Sequence, residues 1–474
     1  MTDSIPIISN QVEEEAILKA DQFFRSGYKP KDQETELYVD DFTRKLLGRK
    51  AQTPVNRNKY LACVCDYLAM VKKSGTGLIS WQTGSEHYQN SSYSRSIAER
   101  TRDALIQKGY LTKQQDHKRG SCTIYNATTI PDINTLEFKK TSRSSALKIR
   151  QPTQHGNGRK KKGKLIPLSK FNQSIINPLI AEMEQINEMM ERHPLISPEG
   201  TTWTDCYRQF NDGDPTGSQW INRGGRIYGG WQSKTESERL QFTIGGDDIC
   251  EVDIKACFLF IANQHAAQPI HLPDDPYQLI NFVKSNYDLR PLAKLLTSAV
   301  LCKEGDIKKF PKGRKKPNEN STQSLRDQFN LEKSAKCSNY VQDILKAFPI
   351  LKTTDLNGLE LMYQESDIVV RSMLSLISKN VPTYPVHDCL LCRLEDEEEV
   401  ISTIQEKMSE TFGSYATLEV GYKDGSNRTI SSNQNINISS HILENGGLDD
   451  SDDSYEVLED FYDIPEPKGQ DTRA

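Results

Sequence analysis

The segment DICEVDIKACFLFIANQ, residues 248–264, constrains the fold more strongly than any other part of the chain. Its first half is rich in Ile and Val and predicts a β-strand, and its second half is apolar enough for a buried helix. The strand nevertheless carries two acids, Glu251 and Asp253. An ionised carboxylate is costly to bury without a cation, a hydrogen-bond network or a raised pKa. The rest of the chain therefore has to show how these side chains are compensated.

A second aspartate lies in PTYPVHDCLLCRL, residues 382–394, where two short apolar strands flank His387 and Asp388 at a tight turn. A hairpin of this kind can pack beside the first strand and bring Asp388 next to Asp253. Two adjacent carboxylates repel each other unless cations lie between them, so the pair predicts a site for two Mg²⁺ ions, which Mn²⁺ could replace. Glu251 shares a strand face with Asp253 and is a candidate accessory carboxylate. The alternative is that both aspartates are unrelated turn or capping residues.

A helix with cationic side chains is predicted between the two acidic motifs. In RPLAKLLTSAVLCKEG, residues 290–305, Arg290, Lys294, Ser298 and Cys302 recur every four residues and therefore share one helix face. Two fixed cations can stabilise the charge that develops during phosphoryl transfer. A basic surface helix without a ligand is the alternative interpretation.

These motifs, preceded by NRGGRIYGGWQ at residues 222–232, resemble in order and spacing the polymerase domain of family A DNA polymerases. The resemblance covers roughly Gly217 to Gly421. It implies an α+β fold, a right hand in which an antiparallel palm sheet is combined with helical fingers and a small thumb. Single-subunit RNA polymerases of phages and mitochondria share that fold.

The resemblance implies a metal site and contacts to a primer–template. Asp253 and Asp388 would be the catalytic residues and would hold the two Mg²⁺ ions together with the backbone carbonyl of Ile254. Arg226 lies 27 positions (253 − 226) before the first aspartate and matches the Gly-Arg motif with which the family holds DNA. The residues of this region that the resemblance implies in DNA binding are Gly225, Arg226 and His387.

The resemblance also implies how the incoming nucleotide is bound. Arg290 and Lys294 match the two cations that grip the triphosphate. Ser298 and Cys302 stand where the family has an aromatic residue and a tyrosine, so base stacking departs from the family pattern. Phe258 is the fifth residue after the first aspartate and lies under the 2′ position of the sugar in the family. A bulky ring at that place favours deoxynucleotides.

The first third of the chain predicts a separate DNA-binding module. Between residues 55 and 135, two amphipathic helical segments precede a β-hairpin with a basic tip, an order that resembles a winged helix. A winged helix that contacts protein, or that serves only as a scaffold, is the alternative. The residues predicted to bind DNA lie on the recognition helix and the wing, and are Arg95, Arg100, Arg102, Lys118 and Arg119.

The formal charge is distributed unevenly along the chain. Residues 449–474 contain ten acids and two bases, or −8, and because the formal net charge is −5, about +3 (−5 + 8) remains on the preceding residues. A mildly basic body fits a protein that binds a polyanion, and the acidic tail could compete with DNA or dock a replication protein. The predicted segments are a helical N-terminal segment (1–54), the winged-helix-like domain (55–135), a basic linker (136–165), thumb-like helices (166–200), palm and fingers (201–430) and an acidic disordered tail (431–474).

These patterns favour a cytoplasmic enzyme. No apolar run approaches the roughly 18 residues of a membrane span, the N-terminus lacks the pattern of a signal peptide, and the ten cysteines show no framework spacing. The leading hypothesis is a template-dependent DNA polymerase without an exonuclease, which extends a primer with dNTPs and serves a phage, plasmid or other mobile element. The alternatives are a single-subunit RNA polymerase or primase-like enzyme, and a non-catalytic replication initiator with a degenerate palm.

Overall fold

The computed structural model describes residues 22–23, 27–48, 53–81, 88, 91–116, 123–128, 130–140, 146–156, 159–161, 163–216, 221–302, 307, 309–311, 324–354 and 356–432. Its helices are α1 (Gln33–Leu47), α2 (Pro54–Lys73), α3 (Arg95–Gln107), α4 (Gln173–Arg192), α5 (Glu236–Arg239), α6 (Cys257–Gln264), α7 (Asn281–Ser285), α8 (Arg290–Cys302), α9 (Leu325–Gln328), α10 (Cys337–Ala347), α11 (Gly358–Ser378) and α12 (Glu397–Phe412). Among these described helices, none has the length and apolar character needed to cross a membrane.

The strands are short, and most of them pair antiparallel. They are β1 (Gln22–Phe23), β2 (Tyr28–Pro30), β3 (Leu78–Ser80), β4 (Leu111–Gln115), β5 (Ile124–Ala127), β6 (Phe138–Lys140), β7 (Leu147–Ile149), β8 (Gln154–Gly156), β9 (Arg159–Lys161), β10 (Leu195–Ile196), β11 (Thr202–Trp203), β12 (Tyr207–Phe210), β13 (Gly224–Tyr228), β14 (Thr243–Ile244), β15 (Asp247–Ile254), β16 (Thr383–Val386), β17 (Cys389–Arg393), β18 (Leu418–Gly421) and β19 (Asn427–Ile430).

The N-terminal module combines helices α1 to α3 with a sheet of order β1-β3-β5-β4 and has a core of its own. Helix α3 ends just before Gly109, whose φ of 78° suits a helix terminus, and the predicted hairpin follows as β4 and β5. Its tip at residues 117–122 lies outside the described residues. The segment 1–54 differs from the helical prediction, because β1 and β2 precede α1. The assignment of this module as a winged helix stays a prediction.

An eight-stranded sheet organises the second half of the chain. Its order is β11-β10-β14-β15-β17-β16, with β18 added to β15 and β19 to β18. β15 is central, since β17 and β18 pair antiparallel along its two edges. Helices α6, α11 and α12 pack together on this sheet, and its apolar residues form the largest buried cluster. The combination of helices with a mostly antiparallel sheet agrees with the predicted α+β class. The division into palm, fingers and thumb stays a prediction.

Residues 136–165 differ from the predicted linker. Strand β6 pairs with β2, and β7 pairs parallel with β12 in a three-stranded sheet of order β13-β12-β7. Leu147 and Ile149 are fully buried in a cluster that also contains Ile176 of α4. The polar sequence around β7 hides this burial, because its partner strand comes about 60 residues later (208 − 147).

The N-terminal module is seated on the segment that leads into β12. Lys73 donates a hydrogen bond to the hydroxyl of Thr204, and its ammonium lies 3.8 Å from Asp205. The backbones meet directly at Gly75, where a Cβ would lie 2.3 Å from the carbonyl oxygen of Glu199. This contact fixes the module to the rest of the described chain by main-chain packing.

Candidate active site

Asp253 and Asp388 lie at the same end of the eight-stranded sheet. Asp253 is directly opposite Cys389 in the ladder of β15 and β17, and Asp388 precedes Cys389 in the turn of the β16–β17 hairpin. His387, which shares this turn, has a φ of 57°, in the left-handed region that few non-glycine residues adopt. Asp388 is 3% exposed and Asp253 is half-buried. The two aspartates are therefore neighbours across one strand pair. The binding of DNA by His387 stays a prediction.

Glu251 has a partner that the sequence analysis missed. Its carboxylate accepts hydrogen bonds from Arg239 Nε (3.0 Å) and Nη2 (2.6 Å), and from the thiol of Cys389 (3.1 Å). Burial alone would lower the pKa of Arg239, but the charge and hydrogen bonds of Glu251 raise it above its ordinary value. Glu251 is thus half of a buried ion pair, which differs from the predicted accessory metal ligand. No local sequence signal marks the pair, since Arg239 belongs to a separate four-residue helix.

A second buried ion pair joins Arg226 to Glu365 of α11. Its two hydrogen bonds measure 2.7 and 3.0 Å, and the side chains are 3% and 0% exposed. Gly225 has a φ of 85°, and a Cβ there would lie 2.8 Å from Ser366 Oγ, so a glycine allows β13 to approach α11 this closely. Arg226 and Gly225 were expected to contact DNA. In the structure both residues are buried where β13 packs against α11, and their contact with DNA stays a prediction.

Phe258 lies under this ion pair. Its ring is 6% exposed, and the ring centroid is 5.5 Å from the guanidinium carbon of Arg226. The residue belongs to α6, which starts after Ala256 has turned the chain with a φ of 50°. The Arg226–Glu365 pair therefore also holds the ring that the resemblance places at the nucleotide sugar.

The helix predicted between the acidic motifs is confirmed as α8, and it packs against α6 and α11. Arg290 donates from Nε to Asp275 (2.9 Å) and lies 5.6 Å from the centroid of the Tyr277 ring. Lys294 and Ser298 are half-buried on the same helix. Asp275 therefore already neutralises part of the charge of Arg290, and the binding of a triphosphate by Arg290 and Lys294 stays a prediction.

Cys302 closes α8 against the first turn of α11. A Cβ on Gly358 would lie 2.6 Å from Cys302 Sγ, so the two helices touch at this point. Burial raises the pKa of Cys302 to about 12, while the charge of Arg226 lowers it and that of Glu365 raises it by smaller amounts. Cys302 is therefore a neutral thiol in a helix contact.

We expect the substitution Cys302→Ala to reduce the loss of stability at alkaline pH. The thiol ionises near its ordinary pKa of 9.0 in the unfolded chain, but keeps its proton in the fold up to about 12. Between these values the unfolded state binds fewer protons, so this group lowers the free energy of unfolding by about 1.4 kcal/mol per pH unit. The measurement is urea unfolding between pH 9 and 11, and equal slopes for wild type and variant would contradict the expectation.

One cluster of potential metal-ligand atoms among the described residues includes Asp388. Cys257 Sγ and carboxylate oxygens of Glu365 and Asp388 lie within 4.8 Å of one another. Burial, followed by the charges of Glu365, Asp388 and Asp253, raises the pKa of Cys257, so this thiol stays protonated and is a poor ligand. Glu365 is already held in its ion pair. Carboxylate and carbonyl oxygens, such as those of Asp253, Asp388 and Ile254, are the ligands that Mg²⁺ prefers, and metal binding by these three residues stays a prediction.

The residues of the N-terminal module that were predicted to bind DNA differ in exposure. Arg95 and Arg100 are exposed on α3, where Arg95 forms an ion pair of 2.8 Å one turn along the helix. The side chain of Arg102 is 18% exposed and pairs with the acid next to it. Lys118 and Arg119 lie outside the described residues. DNA binding by this module stays a prediction.

Comparison with known proteins gives little further support. No family model and no curated protein match the chain. Among solved structures, the chain is similar to the POL domain of Pol1 from M. smegmatis, determined in complex with a DNA primer-template and dNTP. The sequence identity is 12% and the TM-score is 0.29, and the match covers 52% of this chain and 51% of that chain. A likeness of this size carries no argument, so a functional conclusion has to rest on the residues themselves.

Proposed function

We propose that the chain is a template-dependent DNA polymerase that adds dNTPs to the 3′-hydroxyl of a primer. The observation that carries the proposal is the placement of Asp253 and Asp388 side by side at the end of an antiparallel sheet. The neighbouring acids Glu251 and Glu365 are each compensated by an arginine. We infer that Asp253, Asp388 and the backbone carbonyl of Ile254 provide the oxygen ligands for the divalent cations.

In the proposed reaction, the residues around the aspartates would have separate roles in nucleotide addition. Asp253 and Asp388 would hold two Mg²⁺ ions, which when bound supply activation of the primer hydroxyl and stabilisation of the leaving pyrophosphate. Arg290 and Lys294 would orient the triphosphate from α8. Phe258 would occupy the space that a 2′-hydroxyl needs. Replication of a phage, plasmid or other mobile element is the context that we propose for this activity.

We expect Phe258→Ala to reduce the preference for dNTPs over NTPs at least about tenfold, because the cavity left by the ring accommodates a 2′-hydroxyl. The measurement is the ratio of kcat/KM for the two nucleotides. Truncating a buried ring also costs about 3–5 kcal/mol of stability, so Phe258→Leu is the milder variant. Phe260→Leu is the matched control, since Phe260 is equally buried on the same helix but packs against Phe412. An unchanged ratio in both Phe258 variants would contradict a role in sugar selection.

Extension of a labelled primer–template with Mg²⁺, comparing dNTPs with NTPs, tests the proposed function. Extension with dNTPs is the expected result. Extension with NTPs alone would favour a single-subunit RNA polymerase or a primase-like enzyme. Tight DNA binding without extension would favour the replication initiator. The acidic tail, residues 431–474, lies almost entirely outside the described residues, and its docking to a replication protein remains a proposal from composition.

A further inference from the structure

A further carboxylate lies beside Asp253 on the eight-stranded sheet. Asp253 is directly opposite Cys389 in the ladder of β15 and β17, and directly opposite Glu419 in the ladder of β15 and β18. Residues opposite each other in an antiparallel pair point to the same face of the sheet, with Cβ atoms about 4.5–5.5 Å apart. The carboxylate of Glu419 therefore belongs to the same face as that of Asp253.

Glu419 is held by Lys255. The ammonium of Lys255 lies 2.7 Å from Glu419 Oε1, and the two side chains are 17% and 24% exposed. The backbone amide of Lys255 donates to the carbonyl of Thr417 (3.0 Å), the residue just before β18. Because Lys255 directly follows the last residue of β15, these contacts fix a cation two positions after Asp253.

This pair differs from the two buried ion pairs described above. In both of those the cation is an arginine, which donates two hydrogen bonds, and every side chain is at most 6% exposed. Lys255 is a compact point charge, and solvent still reaches both it and Glu419. The charges of Lys255 and Glu419 can therefore act on a ligand that arrives from solution at Asp253.

We propose that Lys255 and Glu419 are positioning residues of the proposed metal site and change its affinity for divalent cations with opposite signs, an inference that rests on the proposed function. The carboxylate of Glu419 attracts a cation at Asp253, and the ammonium of Lys255 repels it. Together the two side chains add no net charge, so the affinity for a free cation stays moderate. Protein sites commonly hold Mg²⁺ with one or two carboxylates plus substrate phosphates. A moderate affinity makes cation binding depend on the nucleotide that supplies those phosphates.

The test measures the dissociation constant of Mn²⁺ for the whole chain, without nucleotide, from the electron paramagnetic resonance signal of the free ion. A unit charge about 6 Å from a divalent ion changes its affinity about tenfold even at the dielectric constant of water, and salt reduces this effect. We therefore expect Glu419→Gln to weaken Mn²⁺ binding about three- to tenfold and Lys255→Met to strengthen it by a similar factor. The double variant should stay within about twofold of wild type, because its net charge is unchanged.

The opposite signs separate an electrostatic role from a structural one. Both substitutions break the same hydrogen bond, so a merely structural pair would shift both affinities in the same direction. The matched controls are Glu399→Gln and Lys379→Met, which break a pair of the same kind at 2.5 Å. Lys379 precedes β16 and Glu399 follows β17, so this pair lies at the end of the hairpin opposite to Asp388. We expect both controls to bind Mn²⁺ within about twofold of wild type.

Thermal unfolding checks that each variant folds, and Lys255→Gln replaces the methionine variant if that one does not. Shifts in the same direction, shifts no larger than those of the controls, or a wild type that binds no Mn²⁺ would overturn the inference. Primer extension by the wild type together with any of these results would leave the proposed function standing alone. Opposite shifts in a chain that does not extend a primer would instead support the metal site and remove the polymerase.

Discussion

We expect Asp253→Asn and Asp388→Asn each to lower the proposed rate of primer extension by at least about 10³-fold. Removal of one of two metal-binding carboxylates costs several kcal/mol of transition-state stabilisation, and each 1.36 kcal/mol corresponds to a tenfold change in rate. Because asparagine keeps the shape of the side chain, we expect the fold to persist. The measurement is the single-turnover rate at saturating dNTP and Mg²⁺, with thermal unfolding as the check on structure.

Asp248→Asn is the matched control for this result. Asp248 belongs to the same strand as Asp253 but is exposed at its beginning, where it pairs with Lys423 at 3.1 Å. We expect its rate to stay within about twofold of wild type, because an exposed ion pair contributes little. An aspartate variant of the candidate site that kept more than about a tenth of the wild-type rate would contradict the two-carboxylate mechanism.

We expect Glu365→Ala to lower the free energy of unfolding by about 3–5 kcal/mol, because it leaves the guanidinium of Arg226 buried without the charge of Glu365. The measurement is urea unfolding near neutral pH. Glu410→Ala removes the same kind of side chain from the surface pair with Arg371 and should cost at most about 1 kcal/mol.

The double variant Arg226→Met with Glu365→Leu separates the burial of a charge from the packing around it. An apolar pair of similar volume is often as stable as a buried ion pair, so we expect the double variant to recover most of the loss. A loss below about 1 kcal/mol for Glu365→Ala alone would show that Arg226 finds another partner or reaches water. In the double variant, a weaker preference for dNTPs would indicate that the ion pair positions Phe258.

Local patterns predicted the elements that carry the two aspartates but not the partners of the neighbouring acids. Strand β15, the turn at Asp388 and helix α8 follow from short apolar runs with regular spacing. The pair Arg239–Glu251 joins residues 12 positions apart through a helix of four residues, and Arg226–Glu365 joins residues 139 positions apart. Neither spacing follows from a helical or strand period, so the sequence could not reveal them.

The same limit explains why the sequence predicts a linker around β7. A strand of three residues is too short for its alternation to stand out, and β7 is buried only because β12 and α4 cover it. The surrounding sequence is polar and rich in glycine, which is the pattern of a linker. The sequence shows the charge of the basic run that follows, but the pairing of β9 with β8 becomes visible only in the structure.

The close contact at Gly75 has a consequence for how the N-terminal module and the segment at residues 199–201 are inherited. A Cβ on Gly75 would lie 2.3 Å from the carbonyl oxygen of Glu199 and 2.5 Å from the amide nitrogen of Thr201. Both are main-chain atoms, so no substitution at residue 199 or 201 can remove the clash. Recombination that introduced an unrelated module would have to restore a glycine here and a matching partner for Thr204. The two halves of the chain are therefore expected to descend together, and exchange of the module as a cassette is disfavoured.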